Sequence, residues 1–84
     1  MVYTVYILYS QKDRRLYVGC TSNLNDRLQK HRYGGVEATR HRRPLVLIHN
    51  EEHKDKTEAF KRERFLKSLW GAREKMQILR KFFG

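Results

Sequence analysis

The sequence predicts an α/β domain, α+β in layout. A small three-stranded antiparallel sheet is flanked by about three helices in the order β-β-α-β-α-α, with residues 1–84 forming one unit. Three observations predict it. Two tyrosine-bearing apolar runs, VYTVYILYS and LYVG, flank the charged stretch QKDRR. A third apolar run, LVLIH, follows the single proline, Pro44. The remaining segments repeat apolar residues at helical rather than strand spacing.

Residues 2–10 are rich in β-branched and aromatic types on both alternating faces, as in a strand buried on both sides. QKDRR (11–15) is the turn, and LYVG (16–19) returns as the hairpin partner. Thr21, Ser22 and Asn23 offer caps for a helix over LNDRLQKH, with Leu24, Leu28 and His31 on one face. YGG (33–35) ends that helix, and 36–44 form a basic loop. LVLIH (45–49) is the third strand, and EEHKDK (51–56) reads as a turn. Asp55 and Thr57 can cap a helix from about Glu58 to Leu69, interrupted near Gly71. The last helix, 72–83, aligns Ala72, Met76, Leu79 and Phe83. Ile78 and Phe82 fall off that stripe, where they suit a homodimer or a protein partner, or pack locally at a frayed end.

The chain carries 19 Lys and Arg against 9 Asp and Glu, a net charge of +10. On a folded domain this is the electrostatic footprint of a polyanion, with nucleic acid ahead of an anionic membrane surface. Hydrophobic content of 39% is too high for a disordered basic tail. One cysteine, Cys20, excludes an internal disulfide and a Cys-pair zinc knuckle. No membrane-span or signal-peptide pattern is present, so a reduced, cytoplasmic protein is expected.

Several residues stand out as candidates for chemistry, each with a structural alternative. If the first turn centres near Lys12–Asp13, Tyr6 lies opposite Gly19 and Leu8 opposite Tyr17, which leaves a hollow beside the Tyr6 ring. Two phenols there can hydrogen-bond or deprotonate a ligand, or simply pack as sheet tyrosines. Arg27 borders the buried face of the first helix one turn before His31, where it offers a fork to phosphate or lies solvated. His31 itself suits a core histidine held by a carbonyl. Glu63 sits about 40° from Ala59 on a helix whose stripe is Ala59, Leu66 and Trp70. A carboxylate on that stripe must meet a cation, a donor or a metal. Pairing with Arg27 or Lys67 is one solution; ligation of magnesium or manganese is the other. His49 and His53 have the spacing of a zinc pair but lack accompanying cysteines, so zinc is disfavoured.

The order of these features resembles the GIY-YIG nuclease superfamily, in its small single-domain bacterial branch. Thr4-Val5-Tyr6 stands where the family has GIY, and Tyr17-Val18-Gly19 where it has YIG. TSNLNDRLQKH carries Arg27 and His31, and EAFKRERFLK places Ala59 and Glu63 in the family's acidic helix. Thr4 replaces the first glycine, and no asparagine follows the acidic helix, leaving Lys67 as a candidate for that polar position.

The resemblance implies an endonuclease that hydrolyses phosphodiesters by a metal-activated water, with Mg2+ (or Mn2+) on Glu63 as sole protein ligand. It implies Arg27 stabilising charge on the scissile phosphate, Tyr6 or Tyr17 positioning or deprotonating the water, His31 assisting, and Gly19 keeping the site floor open. DNA is expected over RNA, in branched or structured form, since so small a surface grips phosphates better than it reads bases. The phosphate-gripping residues expected are Lys12, Arg14, Arg15, Arg40, Arg42, Arg43 and Lys67. A nucleic-acid-binding module of the same fold without catalysis, or an interaction protein activated by a partner, is the alternative.

Overall fold

The computed structural model describes all residues, 1–84, and carries the expected α/β order. Strands β1 (Tyr3–Ser10), β2 (Leu16–Thr21) and β3 (Leu45–His53) form one antiparallel sheet in the order β2-β1-β3. Helix α1 (Leu24–Arg32) follows the hairpin, and α2 (Lys56–Lys67) and α3 (Ala72–Phe83) close the chain. β1 is the central strand, which is why its sequence is apolar on both faces.

One face of the sheet buries Val5, Ile7, Val18 and Ile48 against Ala59 and Leu66 of α2. Leu79 and Ile78 of α3 pack onto the same cluster. Ile78 is thus a core-packing residue rather than one standing off for a partner, while Phe82 stays about half exposed. The Phe83 ring meets Tyr9 edge-on, 5.0 Å between centroids. Thr4, Tyr6 and Leu8 occupy the opposite face, in register with Thr21, Gly19 and Tyr17.

The hairpin turn is built around Ser10. Its hydroxyl accepts the N–H groups of Lys12 (3.2 Å) and Asp13 (3.1 Å) and donates to the carbonyl of Arg42 (2.5 Å). Asn23 caps α1 by accepting the Asp26 N–H, and Asp55 caps α2 through Thr57.

Among the boundaries that differ from expectation, such as β2 running on to Thr21 and α2 starting at Lys56, two have consequences for packing. Residues 51–53 continue β3 rather than turning, because Tyr3, Thr4 and Val5 extend the ladder to His53, Glu52 and Glu51. The Glu51 carboxylate is met by Arg62 of α2 (2.5 Å), His49 (2.9 Å) and His53 (3.1 Å), and Arg62 also binds Glu74 of α3. Burial alone would raise the Glu51 carboxyl, but these partners overcome it and hold the group at about 2. The second difference is at the end of α2. Ser68 leaves helical geometry (φ −84°, ψ 169°), so Leu69–Gly71 form a separate 3-10 turn and Trp70 swings off the buried stripe to 84% exposure. Gly71 makes that turn possible: a Cβ there would lie 2.2 Å from the Phe65 carbonyl oxygen.

Candidate active site

β1 and β2 set two tyrosines on one face with a glycine between them. Tyr6 pairs with Gly19 and Leu8 with Tyr17, as the hairpin register requires. A Cβ on Gly19 would lie 2.4 Å from both Cζ and Oη of Tyr6, so the phenol occupies the space a side chain would fill. Tyr6 is 1% exposed. The Tyr6 and Tyr17 ring centroids are 6.4 Å apart, and His31 of α1 packs edge-on to both, at 5.7 and 5.2 Å.

His31 joins two buried hydroxyls. Its Nε2 is 2.9 Å from Tyr6 Oη and its Nδ1 is 2.7 Å from Thr39 Oγ1. Burial, then the nearby Arg27 charge, lowers His31 to about 4, so the ring is neutral at neutral pH. A neutral imidazole has one N–H and one lone pair, so the relay runs in one of two senses. Either Thr39 donates to Nδ1 and Nε2–H donates to Tyr6, or Tyr6 donates to Nε2 and Nδ1–H donates to Thr39. In both, the ring orientation is fixed from two sides.

The Tyr6 phenol is pushed well above the ordinary tyrosine range, first by burial and then by Tyr17; Arg27 opposes this shift and Glu63 adds to it. Arg27 and Glu63 are therefore electrostatic neighbours of the same hydroxyl. Glu63 points from the flank of α2 that faces β2, where it adds to the upward push that burial gives the Cys20 thiol, and is mostly buried with 19% of its side chain exposed. Its partner is the exposed Lys67 at 3.3 Å, one of the two structural pairings open to it in the sequence.

The donor set at this point is one carboxylate. No cluster of three or more His, Cys, Asp or Glu side chains able to hold a metal exists in the structure. A single hard oxygen ligand suits magnesium or manganese, which keep several waters and take substrate phosphate as further ligands; it does not suit zinc. The lone carboxylate of Glu63 fits the donor preference of the former.

Tyr6, Tyr17, Gly19, Arg27, His31 and Glu63 thus gather at one place, drawn from β1, β2, α1 and α2. Several of the basic residues expected to grip phosphate are engaged within the protein. Arg42 is tied to Asp13 across the hairpin turn (2.6 Å) and draws that carboxyl down to about 2. Arg43 donates to the carbonyls of Arg40 and Arg32, and Arg40 to that of Gly34, so both brace the loop after α1. Lys12, Arg14 and Arg15 lie exposed on the hairpin turn. Thr39 and Ser10, both fully buried, were not singled out by sequence. Thr39 has no local signal for its contact with His31; Ser10 has one as a turn residue, through Lys12 and Asp13, but none for its bond to the distant Arg42 carbonyl.

A three-stranded sheet with a Tyr–Tyr–Gly floor, a histidine and an arginine from the next helix and a carboxylate from a later one defines a class. The chain belongs to the GIY-YIG family: residues 2–77 match its catalytic domain. This is a family of nuclease type, whose members are generally endonucleases, bind nucleic acid and use a divalent metal. Among curated relatives, the chain is 40% identical to a UPF0213 protein of Natronomonas pharaonis over 75 residues, 88% of this chain and 87% of the relative. It is 41% identical to a UPF0213 protein of Clostridium perfringens over 76 residues, 89% of this chain and 80% of the relative. The solution structure of the UPF0213 protein of Bacillus halodurans superposes with a TM-score of 0.60 at 32% identity, covering 98% of this chain and 87% of that one. No helix is long and apolar enough to cross a membrane.

Proposed function

We propose that the protein is a divalent-metal-dependent endonuclease acting on DNA, with structured or branched DNA preferred over a fixed sequence. The observation that carries the reading is the convergence of Tyr6, Tyr17, His31, Arg27 and Glu63 beside Gly19, where the expected hollow is filled by the Tyr6 ring itself. When bound at Glu63, the ion supplies charge neutralisation at the scissile phosphate and activation of a water. Arg27 presents a planar fork to the phosphate and stabilises the charge that develops there. Tyr6 is ill suited to take a proton: its oxygen is buried, its pKa is raised, and its one partner is a weakly basic imidazole. Tyr17, half-buried beside it, is therefore the phenol that meets the attacking water. Tyr6, His31 and Thr39 act as the brace that holds the Tyr17 side of the floor in place.

The Glu63–Lys67 ion pair favours a second reading, a nucleic-acid-binding module whose carboxylate is structural. One experiment separates them. Labelled duplex, flap, junction and single-stranded DNA and RNA are incubated with magnesium, manganese or EDTA, for wild type, Glu63→Ala and Arg27→Ala, with binding measured for each. Metal-dependent cutting that vanishes in both variants while binding persists supports the nuclease. Tight binding without cutting on any substrate overturns it in favour of the module.

A further inference from the structure

A groove of about 440 Å³ runs between the end of α2 and α3, lined by Phe65, Trp70, Arg73, Glu74, Gln77, Ile78 and Lys81. We propose that this groove is a second nucleic-acid subsite: it takes an unpaired base stacked on Trp70, with the flanking phosphates on Arg73 and Lys81. The inference rests on the reading that the protein grips nucleic acid, but not on cleavage.

Four features point there. Trp70 is 84% exposed although it is the sole tryptophan, and it projects from a turn held hard against α2 by buried Gly71. The aromatic face is thus presented on a rigid support, as base-stacking platforms require. Arg73, Gln77 and Lys81 recur every fourth residue along one side of α3, spanning about 12 Å of helix axis, enough for two backbone phosphates of an extended strand. The groove's one carboxylate, Glu74, is already bound by Arg62, so neither Arg73 nor Lys81 meets an acidic partner. An anionic strand is the complementary occupant. A second copy of a chain carrying +10 would bring these cations against its own.

Phe65 and Glu63 leave α2 on nearly opposite flanks, about 160° apart at 100° per residue. The subsite therefore lies across α2 from the candidate active site, and a strand reaching both passes the exposed Arg64 and Lys67. That geometry suits a substrate with an unpaired arm next to a duplex.

The single tryptophan makes the test direct. The Glu63→Gln full-length protein in EDTA, which removes cleavage, is titrated with a fluorescently labelled thymidine 12-mer and with a blunt hairpin duplex. Trp70 emission and probe anisotropy are followed together. The expected result is quenching of Trp70 by the 12-mer but not by the duplex. Trp70→Ala, which removes an exposed side chain and keeps the Tm, weakens 12-mer binding about 5- to 100-fold. Arg73→Gln with Lys81→Gln weakens it further and lowers the salt slope by about 1–2. Binding of the 12-mer with unchanged emission, or with wild-type affinity in Trp70→Ala, overturns the subsite. So does an emission change that follows protein concentration without DNA, since a second copy then covers the groove. Cleavage by wild type without Trp70 quenching sinks the subsite and leaves the nuclease standing. Quenching without cleavage supports the subsite and removes the nuclease.

Discussion

Gly19→Ala tests how the site is built. In a strand, alanine normally gains about 0.5–1 kcal/mol over glycine, because glycine loses more chain entropy on folding. Here the added Cβ would lie 2.4 Å from Cζ and Oη of Tyr6 and 2.8 Å from Cε1. The ring must move, and it is 1% exposed with a hydrogen bond of 2.9 Å to His31. Overpacking of this kind costs about 1–3 kcal/mol. Displacing the phenol leaves a buried hydroxyl and a buried imidazole nitrogen unpaired, for about 1–3 kcal/mol more. The two costs sum to about 2–6 kcal/mol, or about 1–5 kcal/mol after alanine's gain, against the roughly 4–13 kcal/mol expected for a chain of this length.

Urea unfolding of four proteins measures it: wild type, Gly19→Ala, Tyr6→Leu and the double variant. Leucine lacks all three atoms in conflict, so Gly19→Ala in the Tyr6→Leu background is expected to cost under about 1 kcal/mol, a strong coupling between the two sites. An equal cost of Gly19→Ala in both backgrounds would falsify the claim that Tyr6 fills the glycine's space. A single variant within about 0.5 kcal/mol of wild type would do the same.

Three further outcomes are expected. His31 is buried and neutral, with its folded value of about 4 below the ordinary 6.5, so the unfolded chain takes up the proton first. Its contribution is fully present above pH 6.5 and declines as pH falls toward 4, by up to about 3 kcal/mol; stability curves at pH 7.5, 6 and 4.5 should show the slope, and His31→Gln should flatten it. Glu51, held at about 2 against an ordinary 4.5, contributes above pH 4.5 and loses that contribution as pH drops toward 2. With 22% of its side chain exposed, the loss is about 3 kcal/mol, and acid titration of Glu51→Gln should lack this limb while keeping that of His31. Tyr17→Phe should lower single-turnover cleavage about 10²–10⁴-fold with little change in stability. Tyr6→Phe should instead cost about 1–3 kcal/mol of stability, by unpairing His31, with the smaller effect on rate. The opposite pattern in the two variants would transfer the base role to Tyr6.

The sequence by itself determined the elements whose causes lie close along the chain. Both-face burial of the first apolar run made β1 central, Asp55 with Thr57 and the Thr21–Asn23 stretch marked helix starts to within a few residues, and the short turn dictated the pairing of Tyr6 with Gly19. The same locality placed Arg27 and His31 one helical turn apart and put Glu63 beside the Ala59–Leu66 stripe.

Tertiary structure decided what depends on distant partners. β3 runs to His53 because β1 is there to pair with it and because Arg62 reaches Glu51 from another element. Trp70 left the stripe because Ser68 broke the helix before it, a local event whose result is fixed by Gly71 seating on α2. Thr39 became part of the site only when the loop after α1 folded back over His31, and Arg42 was withdrawn from the basic surface by Asp13, 29 residues away. Periodicity and capping report interactions over a few residues. A hydrogen bond between residues far apart in sequence has no periodic signature, so it exists only once the chain has closed around it.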